Sequence, residues 1–360
     1  MIRYSIDEFT LVFLPTGGNI DIEKWHFRFN ELARKIVGVL KFKELGLTRV
    51  NDRQAPIPYN LGYFYGDSYI CIACHNLRPV MGVCLKFSAS GLRDYVLRYK
   101  KCFHCDISVP DILRLLESNV RDYSCRLSRI DFDADLLNEK VVVNDLARGL
   151  NDKTIILKDD RGYKNNSSIN TISNDGIVNT AYIGSRVSKS RKFFRIYNKK
   201  EEQLNNSLPS FYKLAEDCRD WVRIELVLRH ELAHKATDLL LSQSNDGLAG
   251  LIATFISNSL HFWKDDYELA FSKKIAHDSS SGHGKLLTID TRQYSLKKSY
   301  DYFLYGSSGL QSFLFKLKEV EGEESVKQFL QKALDYQLNS FKPSKDLKKW
   351  LAHYKKIKML

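Results

Sequence analysis

The sequence contains no long hydrophobic run. Its longest apolar stretch, residues 248–256, includes small residues and falls well short of the about 20 apolar residues that a membrane-spanning helix needs. The first eight residues, Met-Ile-Arg-Tyr-Ser-Ile-Asp-Glu, lack the apolar centre of a signal peptide. From these absences we expect a cytoplasmic protein that does not enter the membrane.

The sequence has an odd number of cysteines. Seven cysteines cannot all pair with one another, which argues against a complete disulfide framework and for a reducing compartment. Two Cys-x-x-Cys pairs, Cys71/Cys74 and Cys102/Cys105, nevertheless have the spacing of zinc ligands. The first pair lies in an apolar stretch, where cysteine often serves as a small buried hydrophobic residue. The sequence leaves structural zinc and simple burial both open.

Positive charge is in excess. Lysine and arginine number 55 against 43 acidic residues, which gives a net charge of +12 and suits a protein that binds a polyanion. The cations recur, with tyrosine and phenylalanine between them, in residues 93–101, 186–200 and 342–358. Aromatic rings beside cations suit locally unpaired bases, which stack on the rings while the cations follow the backbone. A basic composition is also common in proteins that bind no nucleic acid.

One tyrosine lies in the middle of the second basic segment. Tyr197 has Arg195 two residues before it and Lys199 two residues after it, so on a β-strand the three side chains share a face. A phenol with a pKa of about 10 is a weak nucleophile. A tyrosine that attacks a phosphodiester therefore needs nearby positive charge or a metal. The segment fits that requirement, and an ordinary surface strand with a packed tyrosine ring is the structural alternative.

Two further segments alternate charged and apolar residues with the period of a strand. In residues 129–135, a strand would project Asp131, Asp133 and Asp135 from one face. In residues 221–229, Arg223 and Glu225 share a face in the same way. Carboxylates stacked on one face repel each other unless a cation lies among them, and hard divalent ions take oxygen ligands. The two segments therefore predict a divalent metal close to the tyrosine.

These segments together resemble a known family. The order of motifs, Arg-Ile-Asp131-x-x-x-Asp135, then Ala-Tyr182-Ile-Gly-Ser-Arg186, then Arg195-Ile-Tyr197-Asn-Lys199-x-x-Glu202, then Trp221-x-Arg223-x-Glu225, is similar to that of the Rep-trans family of rolling-circle replication initiators and related conjugative relaxases. The resemblance covers roughly residues 85–235. It implies an enzyme that nicks and rejoins DNA at an origin, keeping a 5′-phosphotyrosine bond and leaving a free 3′-OH.

The resemblance also implies roles for individual residues. Tyr197 would be the nucleophile, and the catalytic set would be Tyr197, Lys199, Arg195 and Arg223. The metal or active-site carboxylates would be Asp131, Asp135 and Glu225. The sequence lacks the His-hydrophobic-His pair that many other rolling-circle nucleases use. Metal binding would therefore rest mainly on carboxylates, which favours Mg²⁺ or Mn²⁺ over zinc.

DNA is the main expected partner. The side chains that we expect to contact it are Arg186, Arg191, Lys192, Lys348, Lys349 and Lys355. The last three belong to a basic carboxy-terminal helix, for which a solvated surface is an equally good interpretation. The resemblance implies a host helicase that unwinds DNA beyond the nick, and a homodimer is a further expectation.

Three alternatives to replication initiation remain open. A conjugative relaxase would use the same chemistry at a transfer origin, and a relative without catalysis would only bind DNA. The third is a zinc metalloprotease, because His230-Glu231-Leu-Ala-His234 matches the HExxH pattern, which places two histidines one helical turn apart and a glutamate as general base. That pattern is short, and a third ligand is needed from elsewhere.

The order of predicted elements indicates an α+β protein. We expect two tandem mixed α/β units with antiparallel sheets and helices on one side, residues 1–122 and the catalytic unit 123–236, as in a duplicated rolling-circle nuclease fold. Residues 237–360 are predicted to form a helical carboxy-terminal region, with one helix over 248–263 and a Ser/Gly-rich linker near 278–284.

Overall fold

In the computed structural model of the chain, one antiparallel sheet of ten strands organises the protein. The structure describes residues 1–16, 22–50, 53–67, 69–160, 162–187, 189–205, 211–279 and 308–343, and residue 348. None of the helices in these ranges has the length and apolarity that a membrane span needs. The α+β class with an antiparallel sheet, predicted from the sequence, is confirmed.

The amino-terminal third of the chain forms one half of the sheet. Its elements are β1 (Ile2–Pro15), α1 (Ile22–Val39), β2 (Arg49–Val50), β3 (Leu61–Tyr65), β4 (Ile70–Cys74), β5 (Val83–Phe87), α2 (Ala89–Phe103) and α3 (Val109–Asn119). The last two helices begin where the sequence supplies caps. The Ser88 hydroxyl accepts a hydrogen bond from the N–H of Gly91, and Ser108 forms a capping box with Asp111.

The next segment forms the other half. Its elements are β6 (Tyr123–Leu137), α4 (Val143–Asn151), β7 (Ile155–Lys158), β8 (Ile169–Asn174), β9 (Ile177–Ile183), β10 (Lys192–Asn198), α5 (Lys199–Leu204), α6 (Tyr212–Asp217), β11 (Trp221–Arg229) and α7 (His230–Ser242). In both halves a strand and a helix are followed by several antiparallel strands and then by another helix.

The two halves share a single sheet, where the sequence predicted two. The strand order is β2-β3-β4-β5-β1-β6-β11-β10-β9-β8, so β1 and β6 lie side by side at the centre. These two strands have 14 and 15 residues and pair along almost their whole length, from Ile2 opposite Leu136 to Pro15 opposite Tyr123. Strands this long leave no free edge at which two separate sheets would end.

One face of the sheet packs against helices. Alternate residues of the central strands, including Phe132 and Leu136 of β6 and Leu226 of β11, are buried with the apolar sides of α1 to α4 and α7. Each such side chain stabilises the fold by about 1.5–3 kcal/mol on burial. Because strand side chains alternate, the residues between them point to the opposite face. We call that opposite face the site face.

After α7 the chain is not wholly helical. It continues with α8 (Leu248–Ser257), β12 (His261–Lys264), β13 (Tyr267–Glu268) and α9 (Ala270–Asp278). The helix predicted over 248–263 ends at Ser257, because residues 261–264 pair with β7 in a three-stranded sheet of order β13-β12-β7. The boundary predicted between residues 236 and 237 falls inside α7.

The chain divides into two compact units, Met1–Ile289 and Asp290–Leu360. In the second unit two helices, α10 (Ser308–Glu321) and α11 (Glu323–Asn339), pack together, with Phe313 against Phe329 at 4.9 Å between ring centroids. The predicted linker lies outside the described residues except for its first two, Asp278 and Ser279.

Candidate active site

The site face carries a polar centre on three neighbouring strands. Antiparallel pairing places Arg223 of β11 opposite Asp135 of β6 on one side and opposite Tyr197 of β10 on the other. Two residues further along β11, Glu225 lies opposite Asp133 of β6 on one side and opposite Arg195 of β10 on the other. Pairing between strands therefore brings together residues that lie up to about 90 positions apart in the sequence.

Tyr197 borders an open pocket at the end of β10. The pocket has a volume of about 360 Å³ and is lined by Thr180, Tyr182, Arg195, Tyr197 and Glu202, among others. The Arg195 guanidinium carbon lies 4.9 Å from the centre of the Tyr197 ring. Burial raises the pKa of the Tyr197 phenol, and Arg223 opposes that rise. The phenol is therefore protonated at neutral pH and depends on its cations to become a nucleophile.

Lys199 reaches the phenol, although not from the strand on which the sequence placed it. β10 ends at Asn198, whose side chain caps α5 by accepting a hydrogen bond from Glu201 N–H, and Lys199 is the first residue of that helix. Its amino group lies 3.4 Å from the Tyr197 hydroxyl and forms an ion pair with Glu202. The Lys199 side chain is 4% exposed. Lys199 therefore lies beside the Tyr197 hydroxyl, but it does so from the first turn of α5, and the prediction that it belongs to the strand is wrong.

Arg223 holds the centre of the site. It donates two hydrogen bonds to Asp135, Nε to Oδ1 at 2.7 Å and Nη2 to Oδ2 at 2.8 Å, and a third from Nη1 to Asp7 at 3.1 Å. The indole N–H of Trp221 also donates to Asp135 Oδ1 at 2.8 Å. Bidentate arginine–carboxylate pairs are strong and fixed in direction. Asp135 therefore has both oxygens occupied, and it orients Arg223.

The other two predicted carboxylates are also paired with arginine. Asp131 accepts hydrogen bonds from Arg129 at 2.8 and 2.6 Å, and Glu225 pairs with Arg195. Burial raises the pKa of Asp131 to about 7, against the opposing influence of Arg129. Burial likewise raises the pKa of Glu225, and Arg195 opposes it.

The predicted metal ligands do not form one ligand set. Asp131 and Asp135 lie four residues apart on one strand, a separation of about 13 Å at 3.3 Å per residue. Two aspartate side chains cannot both reach a single ion across that distance. Within the described part of the chain, no group of three or more His, Cys, Asp or Glu side chains is arranged to hold a metal ion.

Asp133 is the carboxylate that the selection from the sequence omitted. It is fully buried, and neither of its oxygens has a hydrogen-bond partner among the described residues. Arg223 Nη1 lies 2.8 Å from Oδ2, but without hydrogen-bond alignment. Burial raises the pKa of Asp133 strongly, with Arg223 opposing and the nearby Asp7 and Glu225 adding to the rise. Asp133 therefore has an ion-pair partner in Arg223 but no aligned hydrogen bond, and a buried carboxylate in that state is costly.

Asp7 also went unrecognised in the sequence. The register of β1 against β6 shifts between Ile6 and Glu8, so Asp7 is the extra residue of a β-bulge. Ser5, opposite Asp133, lies on the site face, and period-two alternation places Asp7 on that face as well, which explains how Asp7, in the amino-terminal half, reaches Arg223. The bulge then places the next residue, Glu8, on the same face.

Neither candidate zinc motif forms a metal site in the described structure. Cys71 and Cys74 are buried, whereas Cys102 and Cys105 are exposed. Burial raises the pKa of Cys71 and of Cys74 to about 12, as expected for thiols that act as hydrophobic residues.

The HExxH segment begins α7, and its glutamate pairs with an arginine. Glu231 lies 3.3 Å from Arg191, and no third metal ligand joins the two histidines in the described residues. The metalloprotease interpretation therefore has no support in the structure.

The predicted DNA-binding residues lie partly beside the site. Arg186 stacks over the ring of Tyr182 at 4.2 Å, and the amino group of Lys192 donates to Ser259 at 3.0 Å. Lys348 is exposed. Lys349 and Lys355 lie outside the described residues.

The fold and the site define an α+β protein whose central sheet presents one tyrosine among arginines, a lysine and buried carboxylates. The family model of replication initiation factors, Rep-trans, matches residues 125–334. The match covers more than half of the chain, and the protein belongs to this family, as the sequence motifs predicted.

No curated protein sequence matches the chain. Among solved structures, a rolling-circle replication initiator protein from Geobacillus stearothermophilus is similar, with 19% sequence identity and a TM-score of 0.48 over 76% of this chain and 97% of that chain.

Proposed function

We propose that the protein nicks and rejoins one DNA strand at an origin and so starts rolling-circle replication of a plasmid, phage or mobile element. The observation that carries this proposal is the position of Tyr197, which lies at an open pocket, 3.4 Å from the amino group of Lys199 and beside Arg195. Membership in the replication initiation factor family supports the same conclusion.

The proposed reaction is a transesterification. The Tyr197 oxygen attacks phosphorus and forms the 5′-phosphotyrosine bond, while the bond to the 3′ oxygen breaks and that oxygen leaves as a hydroxyl after taking up a proton. The phenolic proton passes to solvent in the open pocket. Because one phosphodiester replaces another, the same site rejoins the strand when the 3′-OH attacks the phosphotyrosine.

The cations of the site have separate tasks in this proposal. Lys199 stabilises the developing phenolate through the contact that it already makes with the Tyr197 hydroxyl. Arg195, over the Tyr197 ring, faces the phosphate that enters the pocket. Arg223 is held by Asp135 and Asp7, and its charge favours the ionised form of Tyr197. Fixed cations that do not reorganise during the reaction are the most effective form of electrostatic stabilisation.

We propose Asp133 and Glu225 as the protein ligands of Mg²⁺ or Mn²⁺. They lie opposite each other on β6 and β11. Asp133 is ion-paired with Arg223 and Glu225 with Arg195, but neither oxygen of Asp133 accepts a hydrogen bond in the described structure. Two protein ligands are sufficient for Mg²⁺, which commonly takes its remaining ligands from water and substrate phosphates. When bound, such an ion would polarise the scissile phosphate.

The first half of the sheet supports a duplicated fold in which only the second half is catalytic. Both halves repeat the same order of elements around the central pair β1 and β6. On β1, β3, β4 and β5 of the first half lies an apolar cluster of Val12, Phe64, Cys71, Ala73 and Cys84. Among the described residues, the arginines of the paired site lie on β6, β10 and β11 of the second half, and the first half contributes Asp7 and Glu8 of β1 to them.

DNA with a locally single-stranded origin is the proposed substrate, and a host helicase and a second copy of the chain are proposed partners. Such a protein would act in the cytoplasm, where plasmid and phage origins are replicated. A relaxase at a transfer origin would use the same residues, and the family match favours replication.

The test compares the wild type with Tyr197→Phe on supercoiled DNA that carries the flanking sequence of the chain's own gene, with Mg²⁺ or Mn²⁺. We expect a nick with protein attached to the 5′ end, seen on a denaturing gel and lost in the variant. Tyr182→Phe is the matched control, because Tyr182 lines the same pocket and should retain attachment. DNA left intact by the wild type, with binding preserved, would instead identify a non-catalytic relative.

A further inference from the structure

Five arginines lie at one end of the site face, away from Tyr197. They form what we call the arginine row: Arg126, Arg129, Arg229, Arg191 and Arg186. Arg129 of β6 is directly opposite Arg229 of β11. The N–H of Arg229 bonds to the carbonyl of Arg191, and its guanidinium donates to the carbonyl of Arg186 at 3.1 Å. The row therefore runs from β6 across β11 to the loop between β9 and β10.

The charge of the row is only partly neutralised. Arg129 pairs with Asp131 and Glu8, and Arg191 pairs with Glu231. Among the described residues, no carboxylate oxygen lies within 4.0 Å of the guanidinium nitrogens of Arg126, Arg186 or Arg229. Burial lowers the pKa of Arg229 and the adjacent Arg129 lowers it further, while the carboxylates of Asp131 and Glu8 oppose the change. Like charges held this close destabilise a protein unless an anion binds between them.

A cleft continues from the row onto the amino-terminal half. Its lining includes Arg126, Tyr59, His230, His234 and the acidic Glu231, together with apolar side chains such as Val12, and its volume is about 400 Å³. Glu231 is paired with Arg191 of the row. Arg126 supplies a cation and Tyr59 an aromatic ring, the two kinds of side chain that hold single-stranded nucleic acid through phosphate contacts and base stacking.

The arginine row lies at a distance from Tyr197 that a bound DNA strand can span. Arg191 and Tyr197 lie six residues apart along one strand direction, which corresponds to about 20 Å. At a phosphate spacing of roughly 3.4 Å per strand in duplex DNA, that distance matches about six phosphates, and fewer in an extended single strand. A strand whose scissile phosphate sits at Tyr197 has the length to reach the row and the cleft.

We propose that the arginine row and the adjoining cleft form a second DNA-binding surface, which holds the backbone of the strand that flanks the scissile phosphate on one side. The proposal deepens the nicking function proposed above and rests on it. It also gives the amino-terminal half a contact with substrate, through Val12 and Tyr59 of the cleft.

The test measures binding of single-stranded oligonucleotides by fluorescence anisotropy over a range of salt concentrations. We compare the wild type with the double variant Arg126→Gln/Arg229→Gln on a short oligonucleotide of about 6 nucleotides and a long one of about 20 nucleotides. The matched control is Arg34→Gln/Arg148→Gln, which removes the same charge from exposed positions on α1 and α4.

For the row variant we expect the affinity for the long oligonucleotide to fall roughly tenfold, with the slope of log K against log salt smaller by about 1.4, since each phosphate contact on a single strand contributes about 0.7. Affinity for the short oligonucleotide should change little. Equal losses in the row variant and the control would overturn the proposal, because they would reflect net charge alone, and so would an unchanged long-oligonucleotide affinity.

Two measurements separate this proposal from other failures. Arg229 bonds to backbone carbonyls, so Arg126→Gln alone, at an exposed position, provides a variant that should keep the wild-type melting temperature and show about half of the change in slope. Covalent attachment of Tyr197 to an origin oligonucleotide tests the nicking function independently. If covalent attachment persists and the row variants bind the long oligonucleotide as tightly as the wild type does, the second surface is contradicted and the nicking proposal is not affected.

Discussion

Asp133 is the residue at which the proposed metal site and the stability of the fold make different demands. Its carboxylate is fully buried and has no hydrogen-bond partner among the described residues, with Asp7 and Glu225 close enough to add to its elevated pKa. Burying a charge in this way costs free energy that packing elsewhere must offset. Residues of this kind persist where function needs them.

We predict that Asp133→Asn lowers the melting temperature less than Asp135→Asn does. Arg223 keeps its bidentate pair with Asp135 when its unaligned ion pair with Asp133 is lost, whereas Asp135→Asn breaks the bidentate pair itself. Metal-dependent nicking of Asp133→Asn should fall ten- to a hundredfold. Thermal melting of both variants and a Mg²⁺ titration of nicking check the two parts. A loss of stability in Asp133→Asn as large as that in Asp135→Asn would contradict this account.

Thiol reactivity provides a second test at the residue scale. Alkylation of the folded protein should modify the exposed Cys102 and Cys105 and leave Cys71, Cys74 and Cys84 unmodified, because burial raises the pKa of all three. Mass spectrometry after brief treatment with a maleimide reads out each site, and denatured protein serves as the control for full labelling. Protection of Cys102 and Cys105 together with bound zinc would revive the zinc hypothesis.

At the scale of elements, the bulge in β1 connects the two halves functionally. Without it, the side chains of β1 would keep strict alternation, and Asp7 would not share a face with Glu8. With it, both acids serve the site face, Asp7 at Arg223 and Glu8 at Arg129. One irregularity in a strand therefore adds a second residue of the amino-terminal half to the site face.

Gly82, just before β5, is a position where only glycine fits. Its φ is +71°, and an added Cβ would lie 2.4 Å from the carbonyl oxygen of Phe13 in β1. Gly176, between β8 and β9, has φ +77° and no neighbouring atom within 4 Å of the added Cβ. Gly176→Ala should therefore lower the free energy of unfolding only by backbone strain of about 1–2 kcal/mol.

Gly82→Ala should cost a further 1–3 kcal/mol, roughly, because the clash with β1 forces a backbone shift. Urea denaturation of the two variants beside the wild type gives the comparison. Equal destabilisation at the two positions would show that the approach of Gly82 to β1 does not limit the packing of these strands.

At the scale of the whole molecule, the continuous sheet makes the two halves interdependent. β1 and β6 pair through thirteen positions, and residues from both halves share one hydrophobic core. A protein with separate domains would instead have its own core in each half.

We therefore predict that residues 123–289 expressed alone do not fold, because β6 would lose its partner β1 and expose a long strand edge. Residues 1–289, which correspond to the first compact unit, should fold and unfold cooperatively. Circular dichroism melting of both fragments tests this. Cooperative unfolding of the 123–289 fragment would show that the halves are independent domains after all.

Much of the site was predictable from local patterns. The period-two alternation of residues 129–135 and 221–229 identified the strands and the face that carries the acids, because side-chain direction on a strand depends only on position. Tyr197 was identifiable because its neighbours Arg195 and Lys199 are close in sequence. The family motifs then identified the protein's class, as the match over residues 125–334 confirms.

The sequence by itself determined the strands, the polar face, the nucleophile candidate and the family, because the pattern that indicates each of them lies within short stretches of consecutive residues. Only the tertiary structure decided that Asp135 is paired while Asp133 is left without a hydrogen bond, that Asp7 enters the site, and that five arginines form one row. The physical reason is register: which side chains meet across β1, β6, β11 and β10 depends on pairing between distant segments and on a bulge, and a shift of one residue would reverse every contact.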